Sequence, residues 1–200
     1  MKIGYLLIIV GPSGVGKTTI VNSLLREIPL LKRIVSYTTR PKRKNEVSGK
    51  DYYFVSEKEL NKLMKGDKNL RETANKVYGY TYALSFKELK DIFSGKTNGI
   101  IELVIDKAIE WKQKMGEKAV IIFLFPPFLS LIKRRLKKRE EGRKIEFRKR
   151  LQNLEYEAQI PTLPKYRRFI DHIITLPEDL EEAKKSVVKL VKKILQDNPS

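Results

Sequence analysis

Residues 11–18 read Gly-Pro-Ser-Gly-Val-Gly-Lys-Thr, the spacing G-x-x-x-x-G-K-[ST]. Glycines at those positions let backbone N–H groups turn inward around phosphate oxygens. The Lys17 ammonium then reaches the β/γ-phosphates, and the Thr18 hydroxyl can hold Mg²⁺. With Thr19 added, Gly11, Pro12, Ser13, Gly14, Val15, Gly16, Lys17 and Thr18 form the candidate triphosphate site. A second group lies one strand later: Arg40 and Arg43, three residues apart, beside Ser36, Thr38, Thr39 and Tyr52. Guanidinium forks grip phosphate through paired hydrogen bonds, and a phenol adds a directed one. A third basic stretch runs from Lys133 to Arg150. Two anion sites fit a triphosphate beside a second phosphate, the arrangement that phosphoryl transfer would use. That chemistry needs positioning and charge neutralisation, and with a phosphate as acceptor it needs no protein base.

Elements must hold these residues together. Tyr5–Val10, Ile34–Tyr37, Gly99–Ile105, Ala119–Phe125 and Phe169–Thr175 are apolar runs with strand character. Helical patterns fall between them, near Lys17–Ile28, Phe86–Ser94, Phe128–Lys138, Ile145–Ala158 and Leu180–Leu195. Buried strands alternating with helices give an α/β fold, a parallel sheet covered on both faces in three layers. The apolar stripe Leu180, Ala183, Val187, Leu190, Val191 and Ile194 makes the last helix a packing helix. Residues 38–84 read as polar and loop-heavy, with a short helical piece around Glu57–Met64, and residues 139–148 are charged. Both are placed to reach over a ligand at the carboxyl end of the sheet.

Composition bounds the chemistry. Two hundred residues suit one domain with inserted lobes. Zero cysteines exclude disulfides and thiolate metal sites, and one histidine leaves no His-based metal site or Ser-His-Asp triad. No apolar run reaches membrane-spanning length and no signal-peptide pattern is present, so a cytoplasmic protein is expected. The formal charge of +18, from 42 basic and 24 acidic residues, fits either a polyanionic partner or a lysine-rich, heat-adapted surface. No RNA-recognition or helix-turn-helix signature accompanies it, and the basic clusters coincide with the phosphate sites, so no nucleic-acid partner is expected.

Residues 36–54 resemble the guanylate kinase family, whose pattern runs S-x-T-T-R-x-x-R-x-x-E-x-x-G-x-D-Y-x-F. Ser36, Thr38, Thr39, Arg40, Arg43, Glu46, Gly49, Asp51, Tyr52 and Phe54 match it without a gap. The likeness extends to the GPSGVGK form of the phosphate loop, to Phe123-Leu124-Phe125-Pro126-Pro127, and to the spacing of Arg135, Arg139 and Arg150. It implies a nucleoside monophosphate kinase, most readily one taking GMP (or dGMP) to GDP with ATP as donor. It also implies three parts: a core over about 1–37, 85–138 and 149–200, an acceptor-binding lobe over about 38–84, and a helical lid over about 139–148. By resemblance Lys17, Arg135, Arg139 and Arg150 neutralise the transferring phosphoryl group. Arg40, Arg43 and Tyr52 hold the acceptor phosphate, Ser36 and Glu72 read its base, and Thr18 with Glu102 organises Mg²⁺, the carboxylate acting through water. Tyr82 is the candidate second phosphate-binding tyrosine, with Tyr78 and Tyr80 as competitors because this loop is one residue longer. The implied partners are ATP and the monophosphate, and the protein is expected as a monomer or homodimer.

Departures from the family pattern collect at base recognition. The family usually carries Asp-Ile-Asp where this chain has Glu102-Leu103-Val104, so Val104 replaces an acid that reads guanine. Asp106 either reaches in from the same strand face or caps the next helix. The family's asparagine near the adenine is not evident in Ile174-Thr175-Leu176-Pro177, and the Tyr-Gly-Thr/Ser step is absent from residues 80–84. These departures leave room for another phosphorylated acceptor, such as ribose 1,5-bisphosphate. A non-catalytic binding module of the same fold fits less well, because the phosphate loop is intact.

Overall fold

β1, Leu6–Val10, is fully apolar and sits at the centre of a parallel sheet. The computed structural model describes residues 4–44, 46–139 and 144–196, with the side chains of 88, 139 and 144–146 left out of the description. After the phosphate loop the chain forms α1, Lys17–Glu27, then β2, Leu31–Arg33. It next enters a lobe of β3 (Ser36–Thr38), β4 (Tyr52–Phe54), α2 (Glu57–Gly66), α3 (Lys68–Thr73), β5 (Asn75–Val77) and β6 (Tyr80–Ala83). It returns through a 3-10 turn, Phe86–Leu89, into α4 (Lys90–Phe93), β7 (Asn98–Glu102), α5 (Ile105–Met115) and β8 (Ala119–Phe125). The remainder is α6 (Leu129–Arg139), α7 (Lys144–Gln159), α8 (Pro164–Arg167), β9 (His172–Thr175) and α9 (Leu180–Gln196).

The core sheet has the order β2-β7-β1-β8-β9, every pair parallel. From β1 the chain builds first to one side and later to the other, which opens a crevice at the carboxyl ends of β1 and its neighbours. Alternation sends Leu7 and Ile9 to one face and Leu6, Ile8 and Val10 to the other. The first face packs on Val21 and Leu24 of α1, Ile132 and Leu136 of α6, Leu154 of α7, and Val187 and Val191 of α9. The second packs on Ile92 of α4, Ala108 and Trp111 of α5, and Tyr166 of α8. Gly99 on β7 permits this closeness, since an added Cβ would lie 2.1 Å from the Ile92 side chain.

The lobe holds its own four-stranded sheet, ordered β4-β3-β6-β5, with β3 and β4 parallel and the other pairs antiparallel. Its fully enclosed core is small, Leu60, Leu70 and Ala83, with Tyr37, Val55 and Met64 packed against it. A capping box starts α2: Ser56 accepts from the Glu59 N–H while the Glu59 carboxylate accepts from the Ser56 N–H.

The structure departs from expectation in four places. The run Ile34–Tyr37 is not one strand; the chain leaves the core sheet after Arg33 and joins the lobe sheet at Ser36. The loop-heavy reading of 38–84 gives way to short strands. The third core strand stops at Glu102, and α5 follows at once without a side-chain cap to announce it. The last strand starts at His172, because Arg167–Ile170 forms a turn and Asp171 spends its carboxylate on the Ile121 N–H and on Lys112. Of the lid expected over 139–148, residues 140–143 and the side chains of Arg139 and of 144–146 lie outside the described residues, while 144–148 form the start of α7. Among the described residues no helix is long and apolar enough to cross a membrane.

Candidate active site

The phosphate loop turns directly off β1. Gly11 has φ +148° and passes so close to β8 that a Cβ would sit 2.5 Å from the Leu124 carbonyl oxygen. Gly16, at φ +115°, is the residue before α1 and adopts a left-handed conformation that a side chain would strain. The Lys17 ammonium lies back along the loop, donating to the Gly11 carbonyl at 2.6 Å and the Pro12 carbonyl at 3.1 Å. The Thr18 hydroxyl donates to Glu102 Oε2 at 3.1 Å. β7 and β1 are neighbours in register, so Glu102 pairs with Ile9 and arrives beside the loop. Arg33, at the end of β2, ion-pairs with Glu102 at 3.4 Å and donates to Asn22 at 2.7 Å. Arg33 was not singled out from the sequence, and its position two residues past Leu31 carries no motif.

A cavity of about 770 Å³ opens over the loop. Its walls include Gly11, Ser13, Lys17 and Glu102 on the core side and Ser36, Tyr52 and Tyr82 on the lobe side. Arg40 lies behind Tyr52. Its guanidinium is 5.5 Å from the centroids of both Tyr52 and Phe54, and it is only 4% exposed. Glu46 grips Arg40 through both oxygens, at 2.7 and 3.0 Å, lies 3.6 Å from Arg43, and accepts from the Arg43 N–H at 2.8 Å. One carboxylate thus orders both arginines. Glu46 belongs to the motif, but its part in aligning the pair is visible only in the fold.

Charge and burial oppose each other here. Burial disfavours the charged Arg40 guanidinium, but Glu46 and Tyr82 outweigh it and raise its pKa. Burial also works against the Glu46 carboxylate, yet hydrogen bonds from Arg40 and the Arg43 backbone hold its pKa below the ordinary value. Burial, then the negative charge of Glu102, pushes the Tyr52 phenol well above its ordinary pKa, so it stays protonated and able to donate.

The three tyrosine candidates part company. Tyr82 meets Tyr52 ring to ring at 5.9 Å and interacts with Arg40. Tyr78 lies across the cavity against Arg150, whose guanidinium is 4.6 Å from its ring centroid. Tyr80 does not line the cavity. Arg150 is 7% exposed and donates to Ser13 Oγ at 2.6 Å. Arg135 is placed elsewhere. It donates to the Val15 carbonyl at 3.3 Å and lines a separate narrow recess with Gly16, Pro127 and Leu180. Glu72 turns outward, half exposed on α3 and 3.7 Å from Lys68, so the fold does not bring it to the cavity. Val104 and Asp106 both line the cavity, the latter in the first turn of α5.

The pair Thr18 Oγ1 and Glu102 Oε2 offers two hard oxygens side by side at the phosphate loop, a set that suits Mg²⁺. Among the described residues no cluster of three or more His, Cys, Asp or Glu is spaced to enclose a metal. Mg²⁺ needs none, since it keeps several waters and takes phosphate oxygens from its substrate.

A family model described as guanylate kinase matches residues 4–194. The guanylate kinase of Malacoplasma penetrans is 36% identical over 163 residues, 80% of this chain and 81% of that protein. The guanylate kinase of Thermotoga maritima is 33% identical over 193 residues, 94% of this chain and 86% of its own length. The crystal structure of guanylate kinase from Anaplasma phagocytophilum superposes with a TM-score of 0.73 at 25% identity, covering 99% of this chain and 89% of that one.

Proposed function

We infer the reaction from one premise: this chain belongs to the guanylate kinase family, and is a phosphotransferase of the nucleoside monophosphate kinase class. It phosphorylates GMP to GDP at the expense of ATP. The observation that carries this reading is a single cavity with a phosphate loop on one wall and the Tyr52–Tyr82 pair, backed by Arg40, on the other. Two phosphates facing each other across that gap can be held in line, which is most of what the transfer requires.

In this proposal the triphosphate lies along residues 11–19, with Lys17 turning from the loop carbonyls to the γ-phosphate. Arg40, Arg43, Tyr52 and Tyr82 hold the acceptor phosphate, with Glu46 keeping the arginines aligned. Arg150 neutralises charge on the moving group, and Arg135 and Arg139 are assigned to the same task from the donor side. Thr18 and Glu102 would hold Mg²⁺, which when bound supplies charge neutralisation at the phosphate oxygens. Ser36 and Asp106 are cavity groups available to the base, while Glu72 reaches it only if α3 turns. The division into core, acceptor lobe and lid belongs to this reading. So does its extension to a cytoplasmic monomer or homodimer that acts on small nucleotides and not on nucleic acid.

The test is a coupled assay with ATP and Mg²⁺ that offers GMP, dGMP, AMP and ribose 1,5-bisphosphate in turn. Turnover of GMP and dGMP, which share the guanine base, at least tenfold above AMP and ribose 1,5-bisphosphate is expected, roughly the discrimination that one or two base hydrogen bonds supply. No turnover of GMP, with turnover of another acceptor, overturns the assignment.

A further inference from the structure

Tyr78 and Glu157 belong to neither anion site, yet they join the two. Tyr78 sits in the turn between β5 and β6, with φ +54°, the one non-glycine residue at positive φ among the described residues. A β-carbon is disfavoured there, and such a conformation persists only where surrounding contacts fix it. The Tyr78 hydroxyl donates a hydrogen bond to Glu157 Oε1, and its ring carries the Arg150 guanidinium at 4.6 Å. The other Glu157 oxygen accepts from the Ser13 backbone N–H at 2.8 Å, and Arg150 reaches the Ser13 hydroxyl at 2.6 Å. The contacts close a ring: Tyr78 to Glu157, Glu157 to Ser13, Ser13 to Arg150, Arg150 back to Tyr78. One member comes from the lobe, one from the phosphate loop, and two from α7, where positions 150 and 157 fall two turns apart on one face. All four line the cavity.

We propose that Tyr78 and Glu157 are positioning residues: they latch the tip of the acceptor lobe to the phosphate loop and set the direction of the Arg150 guanidinium. A carboxylate suits this task because its two oxygens serve two partners at once, the loop N–H and the lobe hydroxyl. Swinging the lobe away would leave Glu157 beside the phosphate loop with one partner fewer and would strip the ring from a buried guanidinium. The latch therefore favours the closed lobe. It also couples the two halves of the site without touching either phosphate.

The chain has no cysteine, so Lys62→Cys on α2 and Lys189→Cys on α9, both exposed, accept spin labels without background. Pulsed electron paramagnetic resonance on the ligand-free protein should give one narrow distance distribution, broadened and lengthened by Tyr78→Phe or Glu157→Ala and largely restored in Glu157→Gln. In steady-state assays each of the first two variants should lower kcat about tenfold while the KM for ATP stays within about twofold. The double variant Tyr78→Phe/Glu157→Ala should be no worse than Glu157→Ala, since both break one path. An unchanged distance distribution in both single variants, or fully additive kinetic losses, overturns the latch. Tyr78→Phe keeps the ring and decides alone if Glu157→Ala does not fold. The spectroscopic arm uses no substrate, so its failure is separate from any error in the acceptor.

Discussion

The two halves of the site are held by different physics. The phosphate loop hangs from β1, whose five residues are all buried in a sheet with an apolar layer on each face. Its shape follows from backbone: left-handed glycines, a close approach to β8, and the start of a helix. The acceptor side stands on strands of three or four residues and a fully buried cluster of only Leu60, Leu70 and Ala83. What orders it is a side-chain network, Glu46 with two arginines and Arg40 between aromatic rings. A backbone-built site tolerates change around it and fails when its own residues change. A network-built site loses alignment when any member is removed. The donor half therefore reports chemistry, and the acceptor half reports geometry.

The sharpest way to break this comparison is on the donor side. Lys17→Ala should lower kcat on the order of 10³-fold, as removal of a charge-stabilising donor does, with far-UV circular dichroism unchanged. Near-normal turnover in that variant would remove the phosphate loop from the reaction. On the acceptor side, Glu46→Ala should raise the KM for the monophosphate about tenfold and destabilise the lobe by about 2 kcal/mol, through lost charged hydrogen bonds. The KM for ATP should hold, and a parallel loss of both affinities would mean that the halves are not separately built.

The smallest effect is a pH dependence. The Glu46 carboxylate has a folded pKa below the ordinary glutamate value of 4.5. Its stabilising contribution is complete above 4.5 and is lost as pH falls through the folded value, when protonation frees both arginines. The lobe should therefore loosen as pH falls below 4.5 and through the lower folded value, while the core sheet persists. Trp111, the single tryptophan, lies in the core, whereas Tyr37, Tyr52, Tyr53 and Tyr82 lie in the lobe. Tyrosine near-UV signals that fade before tryptophan fluorescence shifts would sharpen the contrast, and coincident transitions would erase it.

Legibility in the sequence follows the same division. The phosphate loop, the strands Leu6–Val10 and Ala119–Phe125, and helices α1, α6, α7 and α9 are visible because each is a long apolar pattern or a local motif. The lobe sheet is not, because its strands are only three or four residues long and its central strand β3 pairs with partners more than ten residues away. Helix α5 escapes notice for another reason. Ile105 extends an apolar strand run, and Val104 before it has no capping side chain to mark the change. Arg135 and Glu72 have the right spacing, yet one lines a recess outside the main cavity and the other faces solvent beside Lys68. Spacing along a chain gives a residue's type and register but not its direction after packing.

The sequence by itself determined the glycine geometry of residues 11–18, the alternation of buried strands and helices, and the pairing of two anion sites. Each of these rests on steric or hydrophobic rules that act within a few residues. The tertiary structure alone decided that Tyr82 joins Arg40, that Arg33 steadies Glu102, and that Glu157 reaches Ser13 across 144 residues of chain and Tyr78 across 79. Those contacts depend on how the lobe and α7 settle against a sheet, and no local pattern encodes that placement.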